Sequence, residues 1–454
     1  MSNFKLMIAI VCLCAVSIVL YAAEETAKKE SPKPQLPKVR PMNGYVGGPY
    51  KVKAVDVTGD KIPDLLLGYY PIDVLTVDKG DGKGNFERTE IFQIPFDDRT
   101  IIDPVYNIAV GDVDGDGLVD VAIGVGGTVL HGHKLEDVPT EVLEKCWAGR
   151  VVVARNTGGG KFKRMAQFST GSSTKGVALA DLDNDGKLDL LYTARGSGYK
   201  GDLKSGKLYI RKGLGDFKFG PAMESDAGQS AYYVETGDLD GDGFLDVLIP
   251  NVSGPTVHYF MSPGKKVMAG KQELRKVRRV VTASRIPGQH EAEVNDVRAV
   301  DLNGDGKLDL VTANLQTATL SVFIGNGDGT FQKDTLLDGG KYNAFFAIDD
   351  LDCDGDKDIV VTHWREDTVA VLLNKGDGSF SPRINYKSGM SNYGVAIFDA
   401  TGDGKLDIVT ANYQGKTGHS IALLKGNGDG TFGAPVVTPK GLRLNNGQWI
   451  PLKK

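Results

Sequence analysis

Cysteine is scarce in this chain, with four in 454 residues, and Cys12 and Cys14 fall in an N-terminal apolar stretch. That leaves Cys146 and Cys353, too few for a disulfide framework. Histidine is equally rare, at six residues, and tryptophan rarer still, at three. No G-x-S-x-G elbow, no H-E-x-x-H pair and no Cys/His pairing at family spacing is present, so nucleophilic and zinc-dependent catalysis find no support. Long helical patterns are few, while 59 glycines and 41% hydrophobic content suit an all-β chain with a large core. The formal net charge of −5 argues against nucleic-acid binding.

What the chain has in abundance is one acidic phrase. An aspartate-rich nine-residue run, D-x-[D/N/T]-x-D-x-x-x-D, occurs seven times, beginning at Asp56, Asp112, Asp181, Asp238, Asp301, Asp350 and Asp399. Positions one, three, five and nine supply side-chain oxygens. In four copies all are carboxylates: Asp112, Asp114, Asp116 and Asp120; Asp181, Asp183, Asp185 and Asp189; Asp238, Asp240, Asp242 and Asp246; Asp350, Asp352, Asp354 and Asp358. In the other three the third position is milder: Asp56, Thr58, Asp60 and Asp64; Asp301, Asn303, Asp305 and Asp309; Asp399, Thr401, Asp403 and Asp407. Carboxylates crowded on one loop repel each other, and a divalent cation reverses the sign of that cost. Calcium takes six to eight oxygen ligands in flexible geometry, whereas zinc asks for Cys or His and magnesium keeps its waters. The loops are therefore read as up to seven Ca²⁺ sites, the three mixed ones weaker. Seven bound ions would carry the formal charge from −5 to +9, so an anionic partner stays open.

An EF-hand or dockerin loop begins similarly but needs a bidentate Glu at position twelve and flanking helices. Position twelve here is Leu67, Ile123, Tyr192, Ile249, Thr312, Val361 or Thr410. Each loop runs instead into a strand-like segment such as Asp309-Leu-Val-Thr-Ala-Asn314, so it joins two strands. Loop starts are 56, 69, 57, 63, 49 and 49 residues apart, which fits one four-stranded propeller blade per repeat. In the last repeat, strands are expected over Gly394 to Phe398, Asp407 to Asn412, Ser420 to Lys425 and Gly433 to Thr438, the last two joined by Gly426-Asn-Gly-Asp-Gly-Thr-Phe432. Comparable hairpins close on Phe86, Phe162, Phe217, Phe331 and Phe380, each a candidate plug between blades.

These loops, the aliphatic strand after each, the Gly/Asp hairpins and the literal Phe432-Gly433-Ala434-Pro435 resemble the FG-GAP/VCBS repeat family, which includes the head propellers of integrin α-subunits. The resemblance spans about residues 44 to 440 and implies a seven-bladed β-propeller of four-stranded antiparallel blades, with calcium loops between first and second strands. It leaves the ligand open, because this scaffold carries adhesins, lectin-like proteins and parts of polysaccharide-degrading enzymes.

The ends bear on location. Residues 1–23 combine Lys5 with the apolar stretch Leu6 to Ala23 and read as an export signal or an uncleaved anchor, which is the only membrane contact expected. Residues 24–43, rich in Pro, Lys and Glu, form a linker; 44–440 is the propeller and 441–454 a C-terminal tail. The expected location is secreted, periplasmic or cell-surface, and the expected state a monomer.

If the metal loops share one rim, the exits of the second strands share the other. The candidate recognition residues there are Tyr69, Tyr70, Arg195, Tyr199, Asn251, Asn314, His363, Trp364, Arg365, Asn412 and Tyr413, joined at the first-strand starts by Tyr106, Tyr232, Tyr233, Tyr342 and Tyr393. Tyr, Trp, Arg and Asn bind sugars and protein partners by stacking and fixed hydrogen bonds. The leading functional reading is a non-catalytic module that binds a glycan or protein. The alternatives are a lyase-like enzyme of polysaccharide breakdown working through His363 or Arg195, and a structural cell-surface component. Two insertions add His131-Gly-His133 and the basic run Lys265 to Arg279.

Overall fold

The computed structural model describes residues 46–94, 104–126, 149–196, 205–262, 264, 278–281, 292–413, 419–445 and 448–452. The N-terminal signal and linker, Tyr199, His131, His133 and most of the basic Lys265 to Arg279 run lie outside the described residues. No α-helix occurs among the described residues.

Seven antiparallel sheets follow one another along the chain, each with its four strands in sequence order apart from a small hairpin inserted in the third. The first is Val46–Val55, Asp64–Tyr70, Val74–Gly80 and Phe86–Gln93, and the seventh is Asn392–Phe398, Asp407–Asn412, Ser420–Leu424 and Val436–Pro439. This is a seven-bladed β-propeller. Second strands such as Asp309–Asn314 and Asp358–His363 are buried on both faces, which their unbroken aliphatic and β-branched runs permit. Fourth strands such as Thr335–Asp338 and Ile384–Lys387 lie at the periphery, largely exposed.

The core sits between blades rather than within one. Val52, Leu65 and Leu67 of blade one pack on Val409, Ala411 and Ile421 of blade seven. Phe162 joins the cluster between blades one and two, Phe217 that between two and three, and Phe432 that between six and seven, so the hairpin phenylalanines are the inter-blade plugs. Burying one such ring contributes about 2 kcal/mol.

The first strands wall the central channel, and most carry a bulge near their start, as between Pro49 and Lys51 or Asn392 and Gly394. The extra residue leaves the ladder, which aims Tyr50, Tyr106, Lys175 and Tyr393 across the end of the channel remote from the acidic loops.

The described part of the C-terminal stretch, residues 441–445 and 448–452, joins blade one. Leu442–Asn445 and Gln448–Pro451 form a hairpin whose inner strand pairs with Val46 and Gly47, making blade one a six-stranded sheet. At this seam the Lys440 ammonium lies 2.6 Å from Asp78 Oδ2, Arg88 Nε lies 3.0 Å from Asp78 Oδ1, and the Tyr69 hydroxyl donates to the Lys440 carbonyl at 2.7 Å. Asp78 is fully buried. Removing one partner of a buried ion pair strands the other. Lys440→Ala is therefore expected to cost about 2–4 kcal/mol, read as a lower denaturant midpoint; Arg88 keeps the loss from being larger. A shift too small to resolve would remove this seam as the closure.

Candidate metal loops and recognition face

All seven acidic loops link a first strand to a second and lie on one face. Their positions have separate duties. The first aspartate folds the loop: Asp112 Oδ1 accepts from Gly115 and Asp116 N–H, and Oδ2 from Gly117 N–H at 2.8 Å. The tight turn needs left-handed backbone at positions four and six, and Gly115 and Gly117 supply it with φ of 77° and 85°. The fifth aspartate caps the turn's far side, as Asp116 Oδ1 does for Leu118 N–H at 2.9 Å.

The ninth aspartate is a clamp. In every blade one carboxylate oxygen accepts a loop N–H and the other an N–H at the end of the third strand. For Asp309 the donors are Leu302 at 2.9 Å and Gly325 at 2.7 Å; for Asp120 they are Val113 and Asn156. Asp64, Asp189, Asp246, Asp358 and Asp407 repeat the pattern. The sequence reading made this residue a metal ligand only and missed the clamp.

The third aspartate most often keeps one oxygen without a hydrogen bond. Oδ1 of Asp114, Asp183 and Asp352 is buried with no hydrogen bond among the described residues. One carboxylate oxygen from each of Asp112, Asp114 and Asp120 lies within 4.8 Å of the others, and the same holds for Asp181, Asp183 and Asp189, for Asp238, Asp240 and Asp246, and for Asp350, Asp352 and Asp358. Burial, with neighbouring carboxylates adding to it, pushes the ninth carboxyl up to about 6 in Asp120 and Asp358 and about 7 in Asp189 and Asp246. Buried orphan oxygens and strained carboxyls are what a hard divalent cation would relieve, so the all-aspartate loops fit such an ion.

A further difference among loops was not foreseen. The residue just before the third-strand N–H donor is Lys79, Arg155, Lys212, Met261, Ile324, Leu373 or Lys425 in blades one to seven. Four of these are cations lying on loop carboxylates: Lys79 on Asp60 at 2.9 Å, Arg155 on Asp114 and Asp116 at 3.0 and 2.8 Å, Lys212 on Asp185 at 3.0 Å and Lys425 on Asp403 at 3.1 Å. Blades four, five and six have an apolar side chain there.

On the opposite face the candidate recognition residues divide. Tyr69, Asn251, Asn314, His363 and Asn412 are buried, at 0–1% exposure, and so do not meet a ligand directly. Their polar atoms hold the blades instead: Asn314 Nδ2 donates to Ser321 Oγ at 2.8 Å, and the His363 ring nitrogens engage Thr368 Oγ1 and the Gly339 carbonyl. Burial holds the His363 imidazole below its ordinary value, hence neutral, and removes it as an accessible general base. Tyr106 and Tyr233 are likewise buried, in the channel cap. Tyr70, Arg195, Trp364 and Tyr413 are half-buried, and Arg365 and Tyr342 are exposed.

The structure gathers one compact site from this second group. The Arg365 guanidinium stacks 4.1 Å from the Trp364 ring centroid and 5.1 Å from Tyr342. These side chains, with Lys341 and residues 315–318, line a cavity of about 400 Å³ between blades five and six. Trp364 Nε1 is buried without a hydrogen-bond partner among the described residues.

Comparison with known proteins agrees with this architecture. The FG-GAP-like repeat matches residues 146–192, 196–249, 301–361 and 350–410. The chain is an FG-GAP repeat β-propeller. Among solved structures, this propeller resembles an Agrocybe aegerita lectin described for specific recognition of non-reducing terminal N-acetylglucosamine, at 18% identity and a TM-score of 0.50, over 85% of this chain and 93% of that one. It also resembles BBS1N from a complex with ARL6DN, at 11% identity and a TM-score of 0.49, over 82% and 95% of the two chains. At such identities the likeness is one of fold. No curated protein sequence matches this chain.

Proposed function

We propose that this FG-GAP propeller is an exported, calcium-stabilised binding module that takes a glycan on the face opposite its acidic loops. The observation that carries the reading is the pocket between blades five and six. Trp364 and Tyr342 offer aromatic faces of the kind that pack against sugar C–H groups, Arg365 and Lys341 offer charged donors, and the unpartnered indole N–H of Trp364 awaits an acceptor. The fold of the similar lectin supports a glycan over a protein. Calcium acts in this scheme on stability, holding the loop face while the other face binds. Residues 1–23 support export, and outside the cell the ion is about millimolar, enough for weak loop sites.

A glycan array probed with and without calcium tests the reading. Trp364→Ala is expected to reduce binding of the selected glycan by at least about tenfold, the usual effect of losing an aromatic anchor, measured below the lowered melting temperature that loss of its packing on Tyr393 brings. Silence across the array, or full binding by Trp364→Ala, would contradict it.

A further inference from the structure

The seven first strands enclose a second cavity, of about 470 Å³, along the propeller axis. Its far end is capped by packed rings: Tyr50 lies 4.5 Å from Tyr393 and 5.9 Å from Tyr106, and Tyr233 lies 5.3 Å from Phe345 between centroids. Along blade one's inner strand, Tyr50 is buried, Lys51 half-buried and Lys53 exposed, so the cavity opens toward the acidic-loop face.

Its lining is selective. At the level of Lys53 the other blades line it with Ala109, Ala178, Glu235, Arg298 and Ala396, the three alanines leaving the room that the charged side chains share. Arg298 Nη1 lies 2.7 Å from Asp296 Oδ1 and 3.5 Å from Glu235 Oε2, so one guanidinium occupies both carboxylates. Neither Lys51 nor Lys53 has an ion pair among the described residues. The Lys51 ammonium rests on the rings of Phe345 at 3.6 Å and Tyr233 at 4.0 Å. Asp296, 1% exposed, keeps Oδ2 without a hydrogen-bond partner among the described residues. Two lysine ammonium groups and one orphaned carboxylate oxygen thus line one space of a size that holds small ligands, typically about 300–1,000 Å³.

We propose that this axial cavity binds a small hydroxylated oxyanion, a sugar acid or sugar phosphate, with its anionic group on Lys51 and Lys53 and a hydroxyl on the free Asp296 oxygen. With both lysines protonated, three cations face two carboxylates, which leaves the site one positive charge to offer. The inference is independent of the rim pocket, which shares no residue with it. Burial holds Lys51 down at about 7 and lowers Lys53 as well, and Arg298 adds to both, while Asp296 and Glu235 oppose. Those groups, with the Tyr50 and Tyr233 hydroxyls, are the charged and titratable neighbours that set the pH response. A bound anion favours the charged lysines, so binding takes up protons and weakens as pH rises through 7.

Isothermal titration of the full chain with glucuronate, glucose 6-phosphate and inorganic phosphate, at pH 6.5 and 8.5 and in two buffers of different ionisation heat, tests this. The expected result is one saturable site for a sugar oxyanion, about tenfold weaker at pH 8.5, with buffer-dependent heat reporting proton uptake. Preference for glucuronate assigns a sugar acid, and preference for glucose 6-phosphate a sugar phosphate. Lys51→Met and Lys53→Met should each lose about tenfold or more in affinity, with Lys51→Met melting no lower than the parent because it removes a cation that burial disfavours. No saturable heat from any of the three, binding indifferent to pH, an unaffected Lys53→Met, or equal affinity for inorganic phosphate would overturn the proposal.

Discussion

Chelation of divalent metal is expected to lower the melting temperature of this propeller by about 10 °C, with calcium restoring it. Four loops gather three convergent carboxylates each, and the third-position oxygen of Asp114, Asp183 and Asp352 has nothing else to bond. With about 1 mM ion and a site constant near 10⁻⁴ M, each such loop gains roughly 1.4 kcal/mol, about 6 kcal/mol for four. At about 2 °C per kcal/mol for a large domain, the shift follows. The loops should not contribute equally. Arg155 and Lys212 already sit on the loop carboxylates of blades two and three, whereas blade six has the apolar Leu373 at that position. Calcium should therefore load blade six before blades two and three, and Asp352→Ala should reduce the calcium-induced rise in melting temperature more than Asp114→Ala. A melting curve indifferent to chelator would sink the calcium reading altogether.

The second large effect needs no metal. Asp309→Ala is expected to destabilise by about 3–5 kcal/mol in calcium and in chelator alike, because it strands the buried N–H groups of Leu302 and Gly325. Asp305→Ala, whose solvent-exposed carboxylate caps the Lys307 N–H and meets the Lys307 ammonium at 3.5 Å, should cost about 1 kcal/mol or less. Denaturant midpoints of the two variants separate a clamp from a ligand. Equal losses, or a loss at Asp309 that vanishes in chelator, would show that its carboxylate matters through metal alone.

These contrasts mark how far the sequence could be read. Seven acidic loops at blade-sized spacing and a phenylalanine closing most hairpins were enough for the architecture, because both signals are local and recur in register. The recognition face was legible only in part. Second strands are buried on both faces, so the alternation that tells inside from outside in a half-exposed strand is missing. Asn251, Asn314, His363 and Asn412, at the ends of such strands, resemble surface residues by type, yet face neighbouring strands. The clamp was hidden for another reason: Asp309 and Gly325 are partners across a blade, and nothing in a nine-residue phrase announces an N–H sixteen positions later. The axial cluster was less visible still, since Lys51, Glu235 and Arg298 come from three separate repeats and meet only when the ring forms.

That ring draws the four consecutive strands of each blade from one stretch of chain and fastens the seventh to the first through Lys440 and the C-terminal hairpin strands Leu442–Asn445 and Gln448–Pro451. During synthesis, six finished blades would still have an open flank when the seventh emerges, and the Asp78 carboxylate would wait for its lysine until the ribosome has released residue 440. Premature termination just before that point would yield seven blades with an unsealed wedge, a natural substrate for chaperones and proteases.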